Sequence, residues 1–360
     1  MSSRRVVARI IIDSSSLRYL HTGLGQFSYH LLKQLAGRHL SEESLVAVAH
    51  PDCRHLVPAG IDWAPANWLR RHAPDWIQGH LYHSCAVWHM TSENSRLTGI
   101  PPGASLVLTI HGLHFLDEFT EQASANELRR IQHLVDRAAV IVTVSRFTAD
   151  LVRAKLSVAG KTLEVIPNGI EQVPVEERKP AWAPDQRFLF SVGSFFHRKN
   201  FHVLIPMMKH LPEFRLILAG DYRHAYGEDV RKVIKQEGLE DRVLLPGEIS
   251  DGEKQWLFSQ GEAFLFPSLS EGFGIPILEA FHRGKPVFCS RAGSLPEVGG
   301  DHAIYWDSFA PEHMAQRVKS GLSEDKPEFS MARKLYAARF TWASVAEDYL
   351  KIYRSLLPAV

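Results

Sequence analysis

The sequence predicts an α/β protein of two domains, each built on a buried parallel sheet. Three observations carry this reading. The chain has 360 residues, 45% apolar and 22% charged, enough for two sizeable cores. Short apolar runs recur through both halves and close on glycine, histidine or a polar turn, as strands buried on both faces do. One such run, Ala263 to Phe266, leads into SLSEGFGIPILEAFHRGKP, Ser268 to Pro286, with the pattern of strand, glycine loop and helix start.

In chain order, Val6 to Ile12 reads as the first strand. The opening MSSRRVVARIII is broken by Arg9 and closed by Asp13, so a strand is expected there and not a leader peptide. A loop containing TGLGQF, Thr22 to Phe27, precedes a helix ending near Ala36. Gly23 and Gly25 would let a diphosphate approach their backbone, although Ser28 stands where a third glycine of a dinucleotide fingerprint belongs, and a plain loop is the alternative. Leu45 to Ala49 is the second strand candidate, and Trp63 to His89 is expected to be irregular, aromatic and basic. Leu106 to Ile110 delivers His111 at its carboxyl end, where open α/β sheets place ligands. Ala138 to Val144 leads into a helix after Ser145, and Leu163 to Ile166 ends at the turn Pro167-Asn168-Gly169.

Domain one is therefore expected over residues 1–172, a linker over 173–184, and domain two over 185–342. The second opens with Phe188 to Val192, followed by Gly193 and the cations Arg198 and Lys199. Strands at Arg215 to Ala219 and Val243 to Leu245 follow, the latter ending in Pro246-Gly247-Glu248. Pro286 to Cys289 leads into AGSLPEV with Glu297. The segment TWASVAEDYLKIYRSL reads as an amphipathic helix within 343–360.

The stretch around Gly272, Phe273, Gly274 and Ile275 carries the most chemistry. Its glycines allow close backbone approach, and Pro276 suits a first helical turn, so free N–H groups and a positive dipole end face an anion. Glu271 and Glu279 flank that position. Carboxylates do not bind phosphate but hydrogen-bond hydroxyls strongly, so hydroxyls on either side of phosphates are expected, as in a sugar nucleotide. An ordinary helix start with an acid nearby is the alternative.

Two glutamates eight positions apart around GFG resemble the retaining, nucleotide-sugar-dependent glycosyltransferases of family 4, mannosyltransferase-like members in particular. The resemblance extends over most of the chain. It implies the GT-B fold, with two Rossmann-like α/β/α domains facing across a cleft, and the last helix crossing back to complete domain one. It further implies that Glu271 holds sugar hydroxyls, Glu279 the ribose, Lys199 and Arg198 the leaving diphosphate, and that His111 sits against the transferred sugar. Gly23, Gly25, Gly193, Gly247, Glu248, Gly272, Phe273, Gly274, Ile275 and Glu297 would line the donor. GDP-mannose is the expected donor and a glycan or lipid-linked molecule the acceptor, in bacterial surface polysaccharide or lipopolysaccharide synthesis. No cofactor or metal is expected. Two positions depart from the family: Gly112 replaces an aspartate after the histidine, and Ser194 an arginine after the glycine.

Other readings are narrower. The net charge of +1 gives no support to a nucleic-acid partner. Residues 1–170 hold 17 Lys and Arg against 14 Asp and Glu, and Trp63, Trp68, Trp76 and Trp88 lie among Arg70, Arg71 and histidines. Contact with an anionic membrane is expected from that segment, with packing of a long loop as the alternative. Three scattered cysteines suit a reducing cytoplasm, with the protein peripheral on the inner face of the membrane. His80, His83, Cys85 and His89 match no standard metal spacing. An epimerase, hydrolase or phosphorylase on the same fold, or a non-catalytic sugar-nucleotide-binding subunit, are the rival functions.

Overall fold

The apolar runs form strands, and the amphipathic segments between them form helices, in two units of a computed structural model. Residues 8–38, 43–66, 85–95, 100–172 and 175–357 are described. Unit 1 comprises residues 1–169 and 342–360, and unit 2 residues 170–341.

Unit 1 holds β1 (Ala8–Asp13), β2 (Glu43–Ala49), β3 (Asp62–Pro65), β4 (Cys85–Met90), β5 (Ser105–Ile110), β6 (Ala138–Thr143) and β7 (Thr162–Val165). Among the described residues these form one sheet in the order β3-β2-β1-β4-β5-β6-β7, every pair parallel. Unit 2 repeats the pattern with β8 (Phe188–Val192), β9 (Arg215–Ala219), β10 (Val243–Gly247), β11 (Ala263–Phe266), β12 (Val287–Cys289) and β13 (Ile304–Tyr305), ordered β10-β9-β8-β11-β12-β13. The order reverses beside β1 in one sheet and beside β8 in the other. At such points crossovers diverge to opposite faces and open a crevice at the carboxyl ends.

The expectation that Trp63 to His89 is irregular is corrected at both ends: Asp62–Pro65 and Cys85–Met90 are strands, and the latter pairs with β1 at the centre of the sheet. Trp68, Arg70, Arg71, His72, Trp76, His80 and His83 lie outside the described residues. His89 is fully buried in β4, where Nε2 meets Thr109 Oγ1 at 2.8 Å and Nδ1 meets the Tyr353 hydroxyl at 2.7 Å. Burial pulls its pKa to about 3, so the ring stays neutral and structural.

Those contacts fasten the helix Trp342–Ser355 to unit 1. Tyr349 donates to or accepts from Thr109 at 2.7 Å, Trp342 stacks on His30 at 5.1 Å, and Arg38 pairs with Glu347 at 2.6 Å. Tyr349 and Tyr353 are completely buried against Phe27, Leu31 and the sheet, and an aromatic side chain so buried contributes on the order of 2–3 kcal/mol.

The segment expected as a linker packs on unit 2. Arg178 N–H donates to the Gly252 carbonyl at 3.1 Å, and Ser259 Oγ donates to the Glu177 carboxylate at 2.7 Å. Among the described residues no helix is long and apolar enough to cross a membrane.

Candidate active site

In unit 2 the strands flanking the reversal, β8 and β11, supply the site. Beyond Gly193, β8 enters a 3₁₀ turn, His197–Lys199; β11 enters the loop 267–274. The segments are sewn together: Leu269 N–H donates to the Arg198 carbonyl at 2.7 Å and Asn200 Nδ2 to the Pro267 carbonyl at 3.3 Å. Asn200 takes a left-handed φ of 57°, which turns the chain sharply after Lys199.

This stitching brings together residues far apart in sequence. Lys199 Nζ lies 2.5 Å from Glu271 Oε1, and an Arg198 guanidinium nitrogen lies 3.9 Å from the same oxygen. Glu271 and Lys199 are 8% and 9% exposed, so the pair sits in a medium where charge interactions are strong. Lys199 Nζ also lies 4.9 Å from the Phe266 ring centroid. Two cations thus stand beside one carboxylate. The sequence reading kept Glu271 and the cations as separate contacts; the structure makes them one cluster.

The Glu271 backbone is held from below. Ser294 Oγ contacts the Glu271 and Phe273 carbonyls at 2.9 and 2.7 Å. Gly293, at φ +61°, lies so close that an added Cβ would sit 2.7 Å from the Glu271 carbonyl oxygen. The loop then passes Gly272 and Phe273 and reaches Gly274, left-handed at φ 108°, which caps the helix Ile275–His282.

Glu279 lies one turn into that helix, with Lys254 Nζ 2.8 Å from its Oε1. Burial tends to lower the Lys254 pKa, but the charge and hydrogen bond of Glu279, with Asp251, raise it on balance. Sequence reading missed Lys254, because the helix Asp251–Gln260 that carries it precedes the glycine loop and nothing local links it to Glu279. Gly247 ends β10, and Glu248 joins an exposed network in which Arg223 pairs with Asp221 at 2.7 Å and with Glu248 at 2.9 Å. Glu297 is exposed on the short helix Leu295–Gly299.

In unit 1, TGLGQF is not a loop. Thr22 is the cap, its Oγ1 accepting from Gly25 N–H at 3.2 Å, and Gly23 and Gly25 are the first turn of the helix Gly23–Ala36. Gly25 is buried and presses on the Tyr19 carbonyl, where no Cβ would fit, so packing alone accounts for it; Gly23 has open space around it.

His111 follows β5 directly. Its Nε2 lies 2.8 Å from the Thr91 carbonyl, which only accepts, so Nε2 carries the proton and Nδ1 the lone pair. Phe27 packs edge-on at 4.7 Å between ring centroids. Burial pulls its pKa to about 4, opposed by the Thr91 bond and helped by His114. The space beside Gly112 is filled by His114, whose Nε2 would lie 2.7 Å from an added Cβ. Glu93, just beyond β4, is 4% exposed and accepts the His111 backbone N–H at 3.0 Å. Burial lifts its pKa to about 7 against the pull of that hydrogen bond and of Arg130.

A folded-state pKa raised above the unfolded 4.5 means the fold favours neutral Glu93: the cost is absent below about pH 4.5 and complete above about pH 7. Glu93→Gln is therefore expected to melt with wild type near pH 4.5 and to be more stable at pH 8, by about 3 kcal/mol. Thermal melts at both pH values check this; an equal difference at both would contradict it. His111 and His89, with depressed pKa values, act oppositely and cost stability as pH falls below 6.5.

Two doubly wound sheets with polar groups at their order reversals make this a GT-B protein. Its fold matches HepE of Anabaena, solved with UDP and glucose, at TM-score 0.76 with 17% identity, covering 97% of this chain and 100% of that one. Sucrose-phosphate synthase of Thermosynechococcus elongatus matches at TM-score 0.74 with 19% identity, covering 97% and 99%. The profile of Glycosyltransferase Family 4 matches residues 23–172 and that of Glycosyl transferases group 1 matches residues 173–338, and the chain belongs to this glycosyltransferase family. O-antigen chain mannosyltransferase B of Escherichia coli is 26% identical, over 97% of this chain and all of that one. The O-antigen chain mannosyltransferase RfbU of Salmonella typhimurium is 24% identical over 69% of each chain.

Proposed function

We propose that the protein transfers mannose from GDP-mannose, with retention of configuration, to a glycan or lipid-linked acceptor in bacterial surface polysaccharide synthesis. The Lys199–Glu271–Arg198 cluster at the β8/β11 reversal carries the reading. The likeness to O-antigen mannosyltransferases favours mannose as the sugar. Glu271 accepts hydrogen bonds from sugar hydroxyls. Lys199, whose ammonium has three donors, bridges that carboxylate and the diphosphate, and Arg198 adds charge beside it. The N–H groups around Gly272, Phe273, Gly274 and Ile275 complete the anion site, and Glu279, held by Lys254, takes the ribose. Gly193, Gly247, Glu248 and Glu297 border the donor.

As the C1–O bond breaks, negative charge gathers on the leaving diphosphate, where these cations stabilise it more than in the ground state. The acceptor hydroxyl attacks from the same face and gives its proton to the departing phosphate. No side chain forms a covalent intermediate, and no metal is required. His111 meets the transferred sugar, with Nδ1 as acceptor for a hydroxyl. Membrane contact at the inner face would bring a lipid-linked acceptor within reach.

A panel of UDP-, GDP-, ADP- and dTDP-sugars, offered with a lipid-linked acceptor in excess EDTA, tests this. GDP-mannose is expected to be consumed fastest, with product requiring acceptor. Preference for another donor, release of free sugar alone, or strict dependence on a divalent ion would overturn it.

The ribose contact gives a separate expectation. Glu279→Gln should raise the donor KM roughly tenfold with little change in kcat, because the charge assistance of a hydrogen bond, about 1.4 kcal/mol, is lost equally from ground and transition states. Steady-state kinetics with varied donor check this; a fall in kcat at unchanged KM would place Glu279 at the reacting centre instead.

A further inference from the structure

The order reversal of the first sheet lies between β1 and β4, and the loop that leaves β4 carries a buried acid absorbed by no role above. Glu93 is 4% exposed. Its Oε2 accepts the His111 backbone N–H at 3.0 Å, and Ser92 Oγ stands 3.5 Å from the same oxygen. Its Oε1 accepts from Asn94 Nδ2 at 3.3 Å. The same loop holds the His111 ring, through the Thr91 carbonyl 2.8 Å from Nε2. His111 is thus gripped twice by the segment 91–93, once by its backbone and once by its imidazole. The first grip fixes where the residue leaves β5, and the second fixes the tautomer and turns Nδ1 away from Thr91.

The loop is itself anchored. Thr91 Oγ1 donates to the Asp13 carbonyl at 2.6 Å, Ser95 Oγ bonds the Asp13 carboxylate, and Arg130 donates to the Glu93 carbonyl at 2.5 Å. Arg130 is also bonded to Glu127, at 3.0, 3.0 and 2.5 Å. Among the described residues no ion pair to the Glu93 carboxyl is seen; the carboxyl is buried, bonded to the histidine backbone and compensated through space by Arg130.

We propose that Glu93 is a positioning residue for the transfer step, its ionised carboxylate holding His111 so that Nδ1 meets the sugar. This rests on the role assigned to His111 above. A protonated Glu93 keeps only a neutral carbonyl oxygen as acceptor and loses the charge assistance of its bond to the His111 N–H, so the grip on the His111 backbone weakens. Burial keeps that proton on to near neutrality, at about pH 7, and turnover should rise as pH passes through that range. Among the described residues the other charged or titratable groups around the pair are His89, His114, Arg130 with Glu127, and Asp13. His89 is held neutral by burial, and Asp13 is bonded by Ser95 and by the Ser15 backbone N–H at 3.0 Å.

The test uses the full chain, wild type and the variants Glu93→Gln and Glu93→Ala, with two readouts. Glu93→Ala is expected to lower kcat about tenfold or more with donor KM changed less than about threefold, because misplacing a contact at the reacting centre falls on the transition state. Glu93→Gln keeps an acceptor oxygen and cannot titrate, so its kcat should lose the rise near pH 7. Independently of any substrate, nitrogen-15 NMR of the imidazoles, with His111 assigned by His111→Gln, should show the Nε2–H tautomer and shifts that move near pH 7 in wild type only. Glu93→Gln with the wild-type pH profile and the same His111 shifts would overturn the proposal, as would full kcat in Glu93→Ala. If GDP-mannose is not used while the His111 shifts still follow Glu93, the donor assignment fails and the coupling of Glu93 to His111 stands.

Discussion

Glu271→Ala is expected to abolish transfer, leaving less than about one part in 10³ of the wild-type rate, since in the proposed roles it removes an acceptor for the sugar and disorders the lysine proposed for the leaving group together. The sequence alone suggests that this loop acid contributes little to folding, and the structure corrects that. Lys199 is 9% exposed with its ammonium 2.5 Å from Glu271, so the alanine variant breaks a buried ion pair from one side. Breaking such a pair from one side costs roughly 3–5 kcal/mol. Loss of activity in Glu271→Ala is therefore mixed with loss of stability. Glu271→Gln is the cleaner variant: its amide oxygen still accepts from Lys199 and the side-chain volume is nearly unchanged, so the packing stays while the counter-charge is lost. It should remain folded at 25 °C and lose roughly 10²-fold or more in kcat. A folded Glu271→Gln with near-normal turnover would remove Glu271 from the chemistry.

Lys199→Ala comes next in size. Negative charge on the diphosphate grows toward the transition state, so losing a preorganised ammonium should lower kcat by roughly 10²-fold or more while donor affinity falls less. Here the fold is better protected, because Arg198, 3.9 Å from Glu271, remains as counter-charge to the carboxylate. The two residues act as a unit, so Lys199→Ala combined with Glu271→Gln should cost less than the product of the separate losses. Steady-state and single-turnover kinetics separate the steps. A Lys199→Ala variant that binds donor poorly but turns it over at the wild-type rate would make the lysine a ground-state contact only.

Much of the fold is legible in the sequence, for a physical reason. Strands covered on both faces are apolar throughout, so Phe188–Val192, Arg215–Ala219 and Ala263–Phe266 read directly as strands. Cys85–Met90 does not, although it is as central, because it carries a histidine satisfied by partners 20 and 264 positions away. No local pattern displays such partners. Overlooking that strand hides the loop after it, and with it Glu93. The reverse error falls at TGLGQF, where two glycines suggest a loop, but Thr22 caps a helix and Gly25 is demanded by contact with the Tyr19 carbonyl. The capping threonine was the available signal.

The candidate site divides in the same way. The glycine loop, its two glutamates and the Arg198-Lys199 pair stand out as local motifs. Their connection does not: Lys199 and Glu271 are 72 positions apart and Lys254 and Glu279 are 25 apart, and only the crossing of β8 beside β11 joins the first pair. The ion pair, which turns two contacts into one coupled cluster, required the fold.

Retention at the sugar, driven by leaving-group stabilisation without a protein nucleophile, is the central claim. The most direct measurement is the one-bond carbon–hydrogen coupling at the anomeric carbon of the product formed from GDP-α-mannose labelled at C1, with wild-type protein in excess EDTA. An α-linked product, formed only when acceptor is present, is the predicted result. A β-linked product, or labelled free mannose without acceptor-dependent product, would contradict it.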